Sequence, residues 1–284
     1  MKFPSFLFGL ATLAIVTSCQ EEIDLELPDG ETRIIINGAV SNLEPAYAHI
    51  KWTQPYLSGV ENQPVIGAEA YVYEDGVVAD TLIDMGDGLY QGDLFGEQGK
   101  AYHIAVTVSD ADESHPNGTW LSHDETMGRC LPIDTMYSIE LPDAPFQPAG
   151  HYVYAHWQEA PGEGDVYRIR QWYNDSLANL PYNIQVFDDS FIDGIVFGTD
   201  IQPFDVARAQ EGGVKIEFEI GSISTGLQSY LELIQDQTLR AGSLFSPPPA
   251  PIVGNIFHED DENDWALGYF YSTWRQRAVV VTPQ

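Results

Sequence analysis

The chain has 284 residues, and its 43 acidic residues against 12 Lys and Arg residues give a formal net charge of −31. Such an acidic protein repels nucleic acid and anionic lipid headgroups, which excludes the classes of protein that bind either of them through basic patches. Hydrophobic residues make up 44% of the chain, enough for a packed core, so the composition argues against wholesale disorder. The length fits one large domain or two modest ones.

Residues 1–18 have the layout of a secretory signal peptide. Lys2 precedes an apolar run over residues 3–16, and small residues follow it. The run is shorter than the roughly 20 residues that a membrane-spanning helix needs. Val16-Thr17-Ser18-Cys19 resembles a bacterial lipobox, in which the cysteine becomes the acylated first residue of the mature chain. We therefore predict that Cys19 carries fatty acyl chains such as palmitate; the alternative is an ordinary signal peptide with an incidental cysteine.

The segment that follows, residues 19–29, is predicted to be an acidic tether. Its carboxylates are repelled by anionic headgroups, so it should hold the folded body away from the membrane. It also resembles the acidic export signal that follows the lipidated cysteine in surface-exposed lipoproteins of the Bacteroidetes. These features predict a lipid-anchored protein of the outer membrane that faces the cell exterior.

Cysteine usage limits how the folded body is stabilised. Cys130 is the only cysteine besides Cys19, so the mature chain has no internal disulfide. An exported protein without disulfides must be held together by burial alone, which a chain of this size can achieve. We predict that Cys130 is a buried small hydrophobe rather than a reactive thiol.

Residues 30–128 alternate apolar and polar residues with a period of two. The alternation is clearest over residues 46–53 and 102–108, and Asp75-Gly76 and Asp87-Gly88 predict tight hairpin turns. Short strands separated by turns at intervals of about 8–12 residues are typical of a sandwich or small barrel. The sequence therefore predicts a mostly β protein whose N-terminal domain, residues 30–128, is an immunoglobulin-like or transthyretin-like β-sandwich.

Residues 133–284 are predicted to form a second, larger, β-rich domain with a sandwich-like fold. Residues 151–158 and 165–174 are expected to pair as a hairpin, and residues 265–274 to form a late strand. One amphipathic helix is predicted over about residues 225–241. Its apolar stripe is Leu227, Tyr230, Leu231 and Ile234, and Thr225-Gly226-Leu227-Gln228 fits a capping box.

The common catalytic motifs are missing from the sequence. The serine elbow, the dinucleotide-binding glycine motif and the phosphate loop are absent, and His258-Glu259 is not followed by the second histidine of a zincin. We therefore predict that the protein is not an enzyme. One alternative is a metal site at which His115 and His123 approach each other and are joined by Asp124 or Glu125.

The acidic loop over residues 258–264 is the candidate for a bound cation. Calcium takes six to eight oxygen ligands and is often bound by acidic loops, which makes Asp260, Asp261, Glu262 and Asp264 a calcium candidate. The loop does not match the EF-hand spacing, and acidic turns are expected in a chain of this net charge, so the alternative is a solvated β-turn. No other cofactor is expected.

Aromatic and basic residues alternate along the predicted hairpin. Tyr152 and Tyr154 lie on one strand, and Arg168, Arg170 and Trp172 share a face of the other. Exposed rings of this kind often bind sugars or protein partners, so these five residues form the candidate binding face. The alternative, in which these faces are buried, stays open.

Several short motifs follow one another in a recognisable order. After the acidic start they are Arg33-Ile34-Ile35-Ile36-Asn37-Gly38, Trp52-Thr53-Gln54-Pro55-Tyr56, Pro64-Val65-Ile66-Gly67-Ala68 and Ala266-Leu267-Gly268-Tyr269-Phe270. In this order they resemble the domain of unknown function 4249 family, outer-membrane lipoproteins of the Bacteroidetes. The resemblance implies no catalytic residues, because the family has no established activity. Its members are frequently encoded near TonB-dependent transporters, which implies an accessory role in nutrient capture or transporter assembly.

Together these observations predict a non-enzymatic cell-surface lipoprotein that acts as a binding or accessory module, associated with a TonB-dependent outer-membrane transporter in nutrient uptake. The expected partners are the outer membrane, through the lipid anchor, and that transporter, but not nucleic acid. Two alternatives stay open. One is a metal-dependent hydrolase, and the other is a structural or adhesive surface protein, which only the sandwich architecture suggests.

Overall fold

The computed structural model describes residues 31–55, 58–109, 115–145, 149–200, 213–240 and 252–283. These residues are mostly β-strand and contain one α-helix, as the sequence predicts. The predicted signal peptide (1–18), Cys19 and the rest of the acidic tether (19–29) lie outside the described residues.

Strands account for most of the described chain. Before residue 130 they are β1 (Ile34–Ser41), β2 (Tyr47–Trp52), β3 (Gln63–Pro64), β4 (Glu69–Glu74), β5 (Val77–Gly86), β6 (Leu89–Gln91), β7 (Ala101–Val108), β8 (Gly118–Ser122) and β9 (Glu125–Thr126). After it they are β10 (Ile133–Leu141), β11 (Gly150–Gln158), β12 (Val166–Tyr173), β13 (Ser176–Leu177), β14 (Gln185–Asp188), β15 (Val196–Asp200), β16 (Lys215–Ser222), β17 (Ile256–His258), β18 (Asp261–Trp265), β19 (Phe270–Thr273) and β20 (Arg275–Val281). The helix is α1 (Thr225–Arg240), and a 3-10 turn covers Pro181–Asn183.

The largest sheet curls so that its two ends enclose one core. Its strand order is β18-β17-β8-β7-β4-β5-β6-β2-β1-β19, with β3 on β2 and β9 on β7. β5 pairs with β4 along its first half and with β6 along its second half, so it connects the two layers. Ile36 and Ile50 from one layer and Val72 and Ile104 from the other are fully buried in the same core. This arrangement confirms the predicted sandwich-like fold of the N-terminal region.

Tight hairpin turns form where the Asp-Gly pairs predict them. Asp75 and Gly76 have φ of 48° and 79° and join β4 to β5; Asp87 and Gly88 have φ of 53° and 77° and join β5 to β6. Two consecutive residues with positive φ make the turn whose twist matches that of the flanking strands. Aspartate tolerates the left-handed region better than most residues, and glycine enters it without strain.

Two smaller sheets enclose a second core. The three-stranded sheet has the order β10-β11-β15, and the five-stranded sheet has the order β13-β12-β16-β20 with β14 on β12. Val153 and Trp157 of β11 face Ile169 of β12 and Phe218 of β16 across this core. The predicted hairpin of 151–158 with 165–174 is therefore wrong. Both strands have the expected alternation, but alternation fixes which face is apolar and not which strand is the neighbour.

Strands near the C-terminus pair with the large curled sheet. β19 pairs in parallel with β1, and β17 pairs with β8, although the sequence placed all residues after 132 in the second domain. The predicted strand over 265–274 is interrupted at Gly268, whose φ is 98° and where an added Cβ would lie 2.2 Å from the carbonyl oxygen of Ile36. The described residues from Thr32 onward belong to one compact unit, and the division into two domains stays a prediction.

Helix α1 spans Thr225–Arg240, within one residue of the predicted bounds. Leu227 and Leu231 are buried against Val166 and Tyr269, which confirms the predicted apolar stripe. The cap is one residue earlier than predicted, because the Ser224 hydroxyl accepts a hydrogen bond from the Leu227 amide at 3.1 Å. In the part of the chain that the structure describes, no helix combines the length and apolarity needed to cross a membrane.

Candidate functional site

The charged residues of β12 lie on the side of the five-stranded sheet that faces away from the second core. Tyr167, Ile169 and Tyr173 point into the second core. Because side chains alternate along a strand, Arg168, Arg170 and Trp172 point to the opposite side, where they are half-buried. The structure therefore brings these three predicted residues together on one face.

Tyr152 and Tyr154, the other two residues of the predicted binding face, lie elsewhere. They belong to β11 in the three-stranded sheet, where Val153 and Ala155 point into the core and the two tyrosines point away from it. Tyr154 stacks on Tyr137 with ring centroids 5.6 Å apart. The prediction of one five-residue face is wrong, because β11 and β12 lie in different sheets on either side of the second core.

Cross-strand register arranges the outward side of the five-stranded sheet into rows. In the central row Arg170 of β12 lies beside Glu219 of β16, which lies beside Arg277 of β20. On one side of this row is a row made of Trp172, Glu217 and Val279, and on the other a row made of Arg168, Gly221 and Arg275. We call this surface the arginine face and define it by Arg168, Arg170, Trp172, Glu217, Glu219, Gly221, Arg275 and Arg277.

Glu219 is the electrostatic centre of the arginine face. It is 2% exposed, and its carboxylate accepts hydrogen bonds of 2.6 Å from Arg170 Nε and 2.6 Å from Arg277 Nη2. Burial lowers the pKa of Arg277, but the hydrogen bond and attraction of Glu219 outweigh this and raise it overall. The buried carboxylate is thus surrounded by permanent positive charge, which compensates the cost of removing it from water.

Trp172 contacts two guanidinium groups. The Cζ atoms of Arg170 and Arg277 lie 5.2 Å and 5.0 Å from the centroid of the indole ring. Cations attract the negative face of an aromatic ring at these distances. The ring is therefore fixed in place and half-buried, so both alternatives for this face, core and surface, are partly right.

The turn between β1 and β2 also contacts the arginine face. Glu44 Oε2 lies 3.0 Å from Arg275 Nη2, and the Asn42 side chain accepts a hydrogen bond of 2.6 Å from the Arg275 amide. Burial raises the pKa of Glu44, but attraction by Arg275 and the neighbouring arginines outweighs this effect, so the net shift is downward. A small cleft opens beside these contacts, lined by Arg168, Gly221, Tyr271, Thr273 and Arg275 among others.

Sequence reasoning missed part of this face. Glu217 and Glu219 on β16, and Arg275 and Arg277 on β20, alternate with residues that face the core. Like-spaced charges on separate strands signal a shared face, but only if the strands are known to be neighbours. The register of β12, β16 and β20 was the information that the sequence lacked.

An acidic cluster that the sequence did not predict lies beside the second core. One carboxylate oxygen from each of Glu159, Asp189 and Asp193 lies within 4.8 Å of the others, the one such group among the described residues. All three carboxylates already accept hydrogen bonds, which come from Tyr167 Oη and the amides of Gly162, Gly164, Asp165 and Gly194. Through these neutral donors the cluster fastens two loops together.

The residues of the predicted histidine site have separate surroundings. The His115 ring lies 4.7 Å from that of Trp52, and the His123 ring lies 4.7 Å from that of Phe257. Asp124 Oδ1 lies 2.7 Å from Nδ1 of a different histidine, His103. Glu125 is buried and bonded to Tyr269. Among the described residues these side chains do not join a group able to share an ion, and the hydrolase interpretation stays a prediction.

The calcium candidate lies on an exposed hairpin formed by β17 and β18. Asp260, Asp261, Glu262 and Asp264 are all exposed, and successive strand residues point to opposite sides. Asp261 accepts a hydrogen bond from the Asn263 amide at 2.9 Å, and this bond lowers the Asp261 pKa. Within the described chain these four carboxylates do not gather around a common point. Calcium binding here stays a prediction.

Comparison with known proteins identifies a family but no characterised relative. No curated protein matches the chain. The family model described as a domain of unknown function, DUF4249, matches residues 20–276. The match includes every residue of the arginine face except Arg277. The chain is therefore a member of the domain of unknown function 4249 family.

Proposed function

We propose that the protein is a cell-surface lipoprotein of the outer membrane that acts as a non-enzymatic binding or accessory module, together with a TonB-dependent transporter in nutrient uptake. The arginine face carries this proposal, because its four arginines outnumber the three glutamates that contact them, Glu44, Glu217 and Glu219, in a protein of net charge −31. A partner with an acidic patch is attracted here and repelled by most of the remaining surface. Charge of this kind selects both the contact site and the orientation of binding.

The chemistry of the arginine face favours binding over catalysis. Its carboxylate at Glu219 is buried and engaged by several guanidinium donors, so it is not accessible to a substrate. Arginine and tryptophan are instead the residues that most often dominate the energetics of protein contacts. Cys130, the remaining cysteine, is 2% exposed, and burial raises its pKa to about 12, so its thiol is a poor nucleophile.

Anchoring is tested by labelling cells with radioactive palmitate. We expect the label in the wild-type protein and in Cys130→Ala, but not in Cys19→Ala, which should also leave the membrane fraction. The Cys130 variant is the matched control, because it removes the only other thiol. Label that persists in Cys19→Ala, or membrane attachment without Cys19, would contradict the anchor.

Partner binding is tested by pull-down of the anchored protein from detergent-solubilised outer membranes, with the captured proteins identified by mass spectrometry. We expect wild type to recover a TonB-dependent barrel and Trp172→Ala to recover it several-fold less, because Trp172 contacts Arg170 and Arg277 of the central row. Tyr154→Ala, on the three-stranded sheet, is the control and should retain recovery. No barrel above background with wild type would overturn the proposed partner.

A further inference from the structure

Two neighbouring rows of the arginine face differ in the residue at their centre. In the row of Arg170 and Arg277 the central residue is Glu219, and its carboxylate lies between the two guanidinium groups. In the row of Arg168 and Arg275 the central residue is Gly221, which has no side chain. The second row thus has the flanking cations of the first but lacks the anion between them.

Arg168 has no partner in the part of the chain that the structure describes. Its half-buried guanidinium makes neither a hydrogen bond nor an ion pair there, and it lines the cleft beside Gly221. Guanidinium groups have five donors in a fork that matches a carboxylate, and a partly buried one is favoured by such a contact. Arg168 is therefore placed to bind an anion that this chain does not supply.

Arg275, on the other side of Gly221, provides an independent observation. Its side chain is 6% exposed, and its Nε is a buried donor without an acceptor among the described residues. Its Nη atoms are used by Ser41, Glu44 and, at 3.5 Å, Glu219. A buried donor that stays unpaired is unfavourable, so Arg275 is an incompletely satisfied cation beside the cleft.

Gly221 allows the side chains of Thr273 and Arg275 to approach the strand closely at the floor of the cleft. An added Cβ would lie 2.7 Å from Thr273 Oγ1 and 3.0 Å from Arg275 Cγ, so any other residue would crowd the floor of the cleft. Glu219 lines the cleft and Glu44 contacts Arg275, and arginines already engage both carboxylates. They therefore oppose an entering anion less than free carboxylates would.

We propose that this cleft binds a carboxylate group of the ligand at its mouth, between Arg168 and Arg275. The inference rests on the proposed function, since it names the ligand chemistry of the arginine face. The carboxylate belongs either to a small organic acid or to an acidic side chain of a partner protein. In both cases the same pair of guanidinium groups binds it.

The test follows the arginine Nε–H signals of the ¹⁵N-labelled full-length protein by NMR during titration with sodium acetate, against sodium chloride at equal ionic strength. We expect acetate, but not chloride, to shift the signals of Arg168 and Arg275. Arg168→Gln should weaken acetate binding at least about tenfold, the loss of one charge-assisted contact. Arg33→Gln is the matched control, because Arg33 is a partly exposed arginine outside the arginine face, and it should leave the acetate response unchanged.

Equal responses to acetate and chloride, or an acetate response that survives in Arg168→Gln, would overturn the inference. Further arms with succinate and with an Asp-rich peptide blocked at both ends identify the source: tighter binding of succinate indicates a small acid, and tighter binding of the peptide indicates a protein. The inference and the proposed function can fail separately. Acetate shifts without recovery of a barrel reject only the transporter, whereas recovery without acetate shifts rejects only the carboxylate site.

Discussion

Two buried glutamates show two ways in which this protein places a carboxylate away from water. Glu219, in the five-stranded sheet, is 2% exposed and is held by the guanidinium groups of Arg170 and Arg277. Glu125, in the large curled sheet, is 6% exposed and receives only neutral donors, Tyr269 Oη at 2.7 Å and Asn255 Nδ2 at 3.4 Å. One carboxylate is balanced by charge and the other is not.

The difference affects the ionisation of Glu125. Burial raises its pKa, and hydrogen bonds from neutral neighbours do not fully oppose the shift. Its Oε2 atom is buried and accepts no hydrogen bond within the described residues. Similar burial therefore has opposite consequences: the Glu219 carboxylate organises a cationic face, whereas the Glu125 carboxylate is a local weakness that protonation relieves.

Removing the Glu219 carboxylate, which the arginines balance, should have the largest effect on the free energy of unfolding. Glu219→Ala leaves the guanidinium groups of Arg170, Arg275 and Arg277 close together without their shared anion, and we expect the free energy of unfolding to fall by about 3–5 kcal/mol. Urea denaturation measures the change. Glu219→Gln keeps the shape of the side chain but removes its charge, so this variant isolates the effect of the charge. A loss below about 1 kcal/mol in both variants would show that Glu219 does not hold the face together.

Glu125→Gln should raise the free energy of unfolding at neutral pH, by less than Glu219→Ala lowers it. The folded protein binds the Glu125 proton more tightly than the unfolded chain does, because the pKa of Glu125 is raised on folding. The stability that this proton contributes is complete below the ordinary glutamate pKa of about 4.5. It is lost as the pH rises through the raised pKa of the folded protein. We expect the variant to be more stable than wild type at pH 7, by about 1 kcal/mol, and the gain to vanish near pH 4.

The measurement for Glu125 is urea denaturation at pH values from 4 to 8. Glu69→Gln is a matched control, because Glu69 is an exposed carboxylate in the same sheet, and it should leave the pH profile unchanged. A wild-type profile that Glu125→Gln does not alter would show that Glu125 has the same pKa in the folded and unfolded states.

Sequence patterns predicted the local structure better than the site. Asp75-Gly76 and Asp87-Gly88 fixed two hairpins, and the stripe from Leu227 to Ile234 fixed helix α1, because turns and helices depend on residues close in the chain. The arginine face depends on β16 and β20 lying beside β12, and Glu219 is 49 residues away from Arg170 along the sequence. Strand alternation gives the side on which a residue lies but not its distant neighbour.

Arg168 completes the comparison as a cation without a balancing anion, and replacing it should have the smallest effect. Arg168→Gln removes positive charge from a group of arginines and breaks no described contact, so we expect the free energy of unfolding to change by at most about 0.5 kcal/mol. Urea denaturation at low salt, where repulsion between the arginines is strongest, gives the most sensitive measurement. A loss of 2 kcal/mol or more in the free energy of unfolding, on the order of a broken buried contact, would mean that Arg168 stabilises the fold. In that case its lack of a partner would no longer point to an external ligand. If Arg168→Gln instead keeps the stability of the wild type but loses acetate binding, the two roles are separate: Glu219 holds the face together, and Arg168 is left free to bind.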